Sequence, residues 1–333
     1  MSLNPITVSV IIPAYNASAT IGKALEALSR QNCFQPFEVI VVDDGSNDGT
    51  ADIVCSFASV KYVCQDNAGP AAARNHGARL ARGEYLAFTD SDCVPQEDWI
   101  SLLMAGFGQL QVGVVAGSYG ISNPEKWLAR CINKEILWRH THLMPDHPNS
   151  FGSYNFCVKK NIFEAVGGFN TSYRWASGED NDLSYKIIRS GQLIYFQRKA
   201  LVGHHHPTRV VKYLQEQFRH GFWRVKMYRD HPGMMRGDGY TFWKDIVEMP
   251  LAAVFLVGAV LSAFHYVRWV DLGRFWLLPF IAFEIICALI MVRCFLEGIL
   301  LGFIFLFRSF ARMLGLSTGI TCLLFLKSKK IFQ

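Results

Sequence analysis

Three times in the first 81 residues a short apolar run rich in β-branched side chains is followed by an amphipathic one. "VSVIIP" (Val8 to Pro13) leads into "SATIGKALEALSRQ", where Ser18 suits a helix cap and Ile21, Leu25 and Leu28 share a face. "EVIVV" (Glu38 to Val42) leads through a Gly-rich turn into a stretch with Ile53, Val54 and Phe57 apolar. "VKYVCQ" leads into "GPAAARNHGARLA", with Pro70 in the first helical turn. A fourth run, Tyr85 to Phe88, follows. Alternation of this kind predicts an α/β domain with a mostly parallel sheet, whose ligands lie at the carboxyl ends of the strands.

Carboxylates gather where those ends fall. Asp43 and Asp44 close the second run before "GSNDG", which suits either a donor-rich ligand or ordinary turn chemistry. Asp90 and Asp92 follow the fourth run one residue apart. Two like charges held so close need a positive partner, and a divalent ion that also holds a diphosphate is one answer; a solvated turn is the other. Glu179 and Asp180 precede an amphipathic stretch, where they serve as helix-terminal acids or supply a general base. In "LVGHHHPTR", alternation puts His204 and His206 on one side of an extended segment.

Composition changes near residue 245. Apolar residues make up 51% of the 333-residue chain, yet Met249 to Phe264 has no charge and Phe275 to Val292 has one. Both are read as membrane spans. Ile299 to Leu326 is apolar but broken by Arg308, Arg312 and glycines 302, 315 and 319, so it is an interfacial or re-entrant segment or a third span. Two spans would leave "KSKK" (Lys327 to Lys330) on the cytosolic side, as the positive-inside rule prefers. Glu284, alone in the second span, is expected to be protonated or to pair with Arg308 or Arg312.

Two further stretches interleave basic and apolar residues. Arg209 to Arg229 carries Lys212, Arg219, Arg224 and Lys226 among Val211, Leu214, Phe218 and Phe222; Trp127 to His140 carries Arg130, Lys134 and Arg139. Either suits an anionic membrane surface or an ordinary helix face. The formal net charge of +6 is modest, and no nucleic-acid partner is expected. Nine cysteines without a CxxC pair describe no disulfide framework, and no cleavable signal peptide is read at the N-terminus. The large domain is therefore expected in the cytosol.

Taken together and in order, "VSVIIPAYN", "VVDDGSNDGT", "NAGPAAARNHG", "TDSD", "VGGFN", "GED" and "VGHHH" resemble an inverting family-2 glycosyltransferase of the GT-A fold, from about Val8 to His206. The resemblance implies a nucleotide-sugar donor contacted by Pro13, Tyr15, Asp43, Asp44, Arg74, Asp90 and Ser91, with Arg74 near the diphosphate or bracing the Asp90–Asp92 loop. It implies Asp180 as catalytic base with Glu179 beside it. It also implies Mn²⁺ or Mg²⁺ held among Asp90, Asp92, His204 and His206. The "QxxRW" pattern of processive members is absent, which favours transfer of a single sugar.

The expected organisation is a catalytic domain over residues 1–207, a basic interfacial segment over 208–245 and a membrane region over 246–333. The expected setting is the inner (cytoplasmic) membrane, multi-pass, with the catalytic domain cytosolic. The expected acceptor is lipid-linked, a polyprenyl phosphate or a polyprenyl-diphosphate glycan. Transfer to a growing surface polysaccharide and a catalytically inactive nucleotide-sugar-binding scaffold are the alternatives.

Overall fold

The apolar runs become strands because they are buried on both faces. In β1 (Val8–Ala14) only Pro13 keeps partial exposure, and β2 (Phe37–Asp43) is buried after its first residue. The structure is a computed structural model that describes residues 6–173, 177–233, 242–264, 266, 268–292 and 294–325. The chain divides into two compact units, one built from residues up to 123 and from 144–205, the other from 124–143 and from 206 onward.

The first unit carries an eight-stranded sheet in the order β3-β2-β1-β4-β7-β6-β8-β5, completed by β3 (Val60–Cys64), β4 (Tyr85–Thr89), β5 (Cys93–Pro95), β6 (Val112–Ile121), β7 (Asn155–Lys159) and β8 (Leu193–His204). The first four are mutually parallel, so Ala14, Asp43 and Thr89 end on one edge, as the sequence predicts. The other half is mixed. β7 runs antiparallel to β4 and β6, β8 parallel to β6, and β5 antiparallel to β8. Parallel order stops at β7 because the chain enters it at Asn155, opposite Thr89, and must run back from that edge.

Helices α1 (Ile21–Ser29), α2 (Thr50–Cys55) and α3 (Pro70–Leu80) link the parallel strands. The apolar face of α1 is buried at Ile21, Leu25 and Leu28, but Ser18 is not its cap. The N-cap is Thr20, and the Ser18 amide donates instead to Asp48. At Gly77, α3 touches β1 so closely that a Cβ would stand 2.5 Å from Ile11. Short helices α4 (Trp99–Ala105) and α6 (Lys160–Ala165) and the longer α7 (Glu179–Arg189) complete the unit.

The second unit is helical: α5 (Trp127–His142), α8 (Val210–Asp230), α9 (Trp243–Ala263), α10 (Trp269–Leu272), α11 (Leu278–Met291, reached through a π-helical turn at 273–277) and α12 (Phe295–Phe325). The sequence reading counts 127–142 with the first domain; here α5 packs with the second unit, burying Leu128, Cys131 and Ile132 beside Ala288, Leu301 and Phe305. Among the described residues, three helical stretches are long and apolar enough to cross a membrane: Trp243–Ala263, Trp269–Met291 and Phe295–Cys322. "KSKK" lies outside the described residues.

Charges inside this unit are paired with one another. Lys244 bridges Glu248 and, at 2.6 Å, Glu284, which also accepts from Ser309 Oγ at 3.1 Å. Arg308 grips both oxygens of Glu135 at 2.8 Å, and Arg139 grips Asp245 at 2.6 and 2.9 Å. The expected partner of Glu284 is thus corrected from Arg308 or Arg312 to Lys244. The reason is that α5 supplies a carboxylate with both oxygens open to Arg308, while Lys244 stands within reach of Glu284. An unpaired charge at the bilayer centre costs roughly 2.5–3.5 kcal/mol on insertion scales, so pairing on this scale is what an apolar bundle requires.

Candidate active site

The exit of β2 is built around its two acids. Asp43, 1% exposed, accepts from the Ser46 amide and the Tyr62 hydroxyl, each at 2.8 Å. Asp44 accepts from Gln65 Nε2 (2.7 Å) and the amides of Ala68 (2.9 Å) and Gly69 (2.8 Å), which fixes the loop entering α3. Gly69 takes φ 91° there, a left-handed geometry that favours glycine. Beyond β1, Tyr15 is 54% exposed. Next to it, Asn16 accepts from the Asn47 amide at 3.0 Å and donates its own amide to Ser46 Oγ at 2.9 Å, tying the first two exit loops together.

Arg74 is the hub. Projecting from α3 and only 2% exposed, it donates from Nη2 to Asp90 Oδ1 at 2.7 Å and from Nη1 to Glu179 Oε1 at 3.1 Å. Burial works against its charge, but the carboxylates of Asp90 and Glu179 hold the guanidinium protonated. Through its contact with Asp90, Arg74 ties α3 to the turn that carries Asp90 and Asp92. Half-buried Ser91 sits between the two acids in that turn.

Glu179 and Asp180 open α7 through Gly178, whose φ of 102° lets the chain turn into the helix. Glu179 is buried, accepts also from the Ser177 amide at 2.8 Å, and is pushed up to about 7 by burial and by neighbouring Asp180, against the pull of Arg74. Asp180 is half-buried, and burial raises its carboxyl as well. Its Oδ1 accepts from the Asn181 amide at 2.8 Å, while Oδ2 faces Gly152, where a Cβ would stand 3.5 Å away. That Cβ would also collide with the ring of Tyr154.

Asp92 and His204 meet where β5 pairs with β8. Cys93 lies opposite His204 in the ladder, and the His205 amide donates to the Asp92 carbonyl at 2.9 Å. His204 Nε2 comes within 3.5 Å of Asp92 Oδ2, and donor atoms of Asp92, Cys93 and His204 all fall within 4.8 Å of one another. Burial, then the charge of Asp90, raises the Asp92 carboxyl, although its side chain keeps 38% of its surface open; His204 works the other way. The His204 ring stands edge-on to Tyr119 at 5.2 Å, and Tyr119 stacks on Tyr154 at 3.6 Å.

The residues present fit a divalent ion in part. A carboxylate oxygen and an imidazole nitrogen converge on an accessible point, a donor set that suits an ion sharing its remaining positions with phosphate oxygens. Cys93 is the third donor in the group, but its thiol is fully buried and burial pushes it well up, away from the ligating thiolate. Of the other residues expected at a metal, Asp90 gives one oxygen to Arg74 and stands outside this group, and buried His206 belongs to the second unit. Tyr119 and Tyr154 escape sequence reasoning, because a tyrosine in a strand or loop carries no motif.

A family model described as glycosyl transferase family 2 matches residues 9–169. Over 217 residues the chain is 31% identical to the validoxylamine A glucosyltransferase of Streptomyces hygroscopicus subsp. jinggangensis, covering 55% of this chain and 51% of that one. Over 243 residues it is 29% identical to the glycosyltransferase AglE of Haloferax volcanii, covering 71% and 79%. The chain thus spans about half the length of the first of these relatives. Among solved structures it resembles the mannosyltransferase PcManGT of Pyrobaculum calidifontis, solved with GDP-Man and Mn²⁺, at a TM-score of 0.59 and 19% identity, over 94% of this chain and 88% of that one. This likeness speaks to the fold.

Proposed function

Because the glycosyl transferase family 2 model matches residues 9–169 and apolar helices follow that region, we propose that the chain is a membrane-associated inverting enzyme of that family. In this reading it moves one sugar from a nucleotide-sugar to a lipid-linked acceptor, a polyprenyl phosphate or a polyprenyl-diphosphate glycan. The observation that carries the proposal is the double grip of Arg74. By holding Asp90 and Glu179 at once, it brings the Asp90–Asp92 turn and the first turn of α7 to the same guanidinium. The candidate base Asp180 follows directly on Glu179, and the candidate metal ligand Asp92 stands two residues after Asp90 in the held turn.

The chemistry assigned to this chain is proton transfer and positioning. Asp180 accepts the proton of the attacking acceptor oxygen, a glycan hydroxyl or a protonated phosphate oxygen, and its raised carboxyl makes it a stronger base than a solvated aspartate. The acceptor oxygen forms its bond to the anomeric carbon as the bond to the diphosphate breaks on the opposite face, and configuration inverts. Glu179 and Arg74 hold the first turn of α7 in place. Pro13, Tyr15 and Asp43 form the nucleotide side, with Asp44 acting through the loop it fixes. A divalent metal held by Asp92 and His204 would offset negative charge on the leaving diphosphate.

The apolar helices favour a lipid-borne acceptor over a soluble one, and the proposed setting is the inner membrane with the catalytic unit in the cytosol. Purified full-length protein, incubated with a panel of radiolabelled nucleotide-sugars and a membrane lipid extract, should place label in the organic phase, with anomeric configuration opposite to the donor's. Label appearing only in polysaccharide, or retained configuration, would count against this reading.

A further inference from the structure

The charges that α9, α11 and α12 share are gathered at one level. Lys244 of α9 bridges Glu248 of its own helix and Glu284 of α11, while Arg308 and Arg312 of α12 both approach Glu248, at 3.6 and 3.2 Å. From that level α9 continues through residues 249–263 without a charge, and Gly258 packs against Leu272 as the chain returns through α10. α12 follows the α9–α11 hairpin as far as Phe310, which meets the rings of Phe255 (5.4 Å) and Phe280 (5.9 Å).

α8 accompanies α12 from Leu301, where Tyr213 joins the same apolar cluster, and from Arg312 onward small residues bring the two backbones together. Arg312 Nε donates to Gln217 at 2.9 Å, and Gly221 lies against the Arg312 carbonyl so tightly that a Cβ would overlap it. Gly315 has the same relation to the Phe218 carbonyl, and a Cβ on Gly319 would stand 2.8 Å from that of Phe222. Two helices in backbone contact over these turns share one depth. α8 is no membrane helix: Lys212, Arg219 and Arg229 are exposed on it, and Arg224 is half-buried. A crossing α12 would carry Arg219 and Arg224 into hydrocarbon, although α12 by itself is apolar and long enough to cross. Its exposed stripe, Leu300, Phe303, Phe307, Leu314 and Leu324, is what a helix lying in the interface presents to lipid.

We propose that Trp243–Ala263 and Trp269–Met291 are the crossing pair, and that α12 beyond Arg312 lies with α8 along an anionic membrane surface. Residues before α9 and after α12 then share one side. The inference rests on packing within the second unit and not on the glycosyl-transfer reading, and its test reads no activity.

The full chain is reconstituted in sealed vesicles containing phosphatidylglycerol. A membrane-impermeant maleimide is applied to variants carrying one reactive cysteine: native Cys55, Tyr266→Cys, or a cysteine appended after Gln333. Cys55 and the appended cysteine should react from the same side and Tyr266→Cys from the other. Agreement of the appended cysteine with Tyr266→Cys, or all three on one side, overturns the proposal. Nitroxides at Leu314→Cys and Leu324→Cys supply a second measurement. They should report equal depth, whereas a crossing helix would separate them by about 15 Å. Gln at Lys212, Arg219 and Arg229 should shift both nitroxides toward water; no shift refutes the anionic surface as partner.

Discussion

Arg74 and Glu179, 105 residues apart in sequence, are joined by a 3.1 Å ion pair that leaves both side chains 3% exposed. The second arm of the same guanidinium holds Asp90. Removing one member of a buried pair leaves an uncompensated charge, typically at a cost of about 3–5 kcal/mol. Arg74→Gln should fall at the lower end, since Asp90 is 29% exposed and partly screened. Pairing it with Glu179→Gln should recover part of the stability in urea unfolding without restoring transfer. Equal stability of the single variant and the wild type would remove Arg74 from its central place.

Asp180 separates catalysis from helix capping. Asp180→Asn should abolish sugar transfer while nucleotide-sugar binding and Tm stay near normal, because losing a terminal acid costs at most about 1 kcal/mol. Retained turnover would reduce Asp180 to a helix-terminal residue.

Glu179 gives stability a pH slope. Its carboxyl is raised from 4.5 to about 7 in the folded protein, so the fold binds its proton more tightly than the unfolded chain does. That contribution is fully present below pH 4.5 and is lost as pH rises through about 7, the sign expected when the native state holds more protons. Comparing chemical unfolding of the wild type and Glu179→Gln across this range should show a steeper slope in the wild type; equal slopes would remove Glu179 as its source.

Metal binding can be read without activity. Asp92→Asn and His204→Ala should each weaken Mn²⁺ binding, measured by electron paramagnetic resonance, while leaving the melting curve of the metal-free protein largely unchanged. Unaltered binding in both would move the metal elsewhere.

Lys244 and Glu284 form a pair whose members are both fully buried. Lys244→Met should destabilise the helical unit more than the double change Lys244→Met/Glu284→Gln, because the double variant leaves one acid fewer without its cation. Recovery of detergent-extracted protein by gel filtration would report the difference.

The sequence by itself determined the strand and helix alternation, the carboxyl edge and the acids gathered on it. Those follow from near-neighbour chemistry: β-branched runs, a proline at the start of α3, aspartates placed directly after strands. The order of short motifs also carried the resemblance to the family whose model matches residues 9–169. What only the tertiary structure decided is which charge meets which. Asp90 and Asp92 are one residue apart, yet one is turned to Arg74 and the other to His204, because each lies beside a different element. Likewise Glu284 meets Lys244, forty residues earlier, while Arg308 reaches a helix of the second unit that interrupts the catalytic fold in sequence. Local pattern fixes which face of a helix or strand is apolar; pairing of buried charges depends on which elements fold together, and the desolvation that makes such pairing compulsory exists only once they have done so.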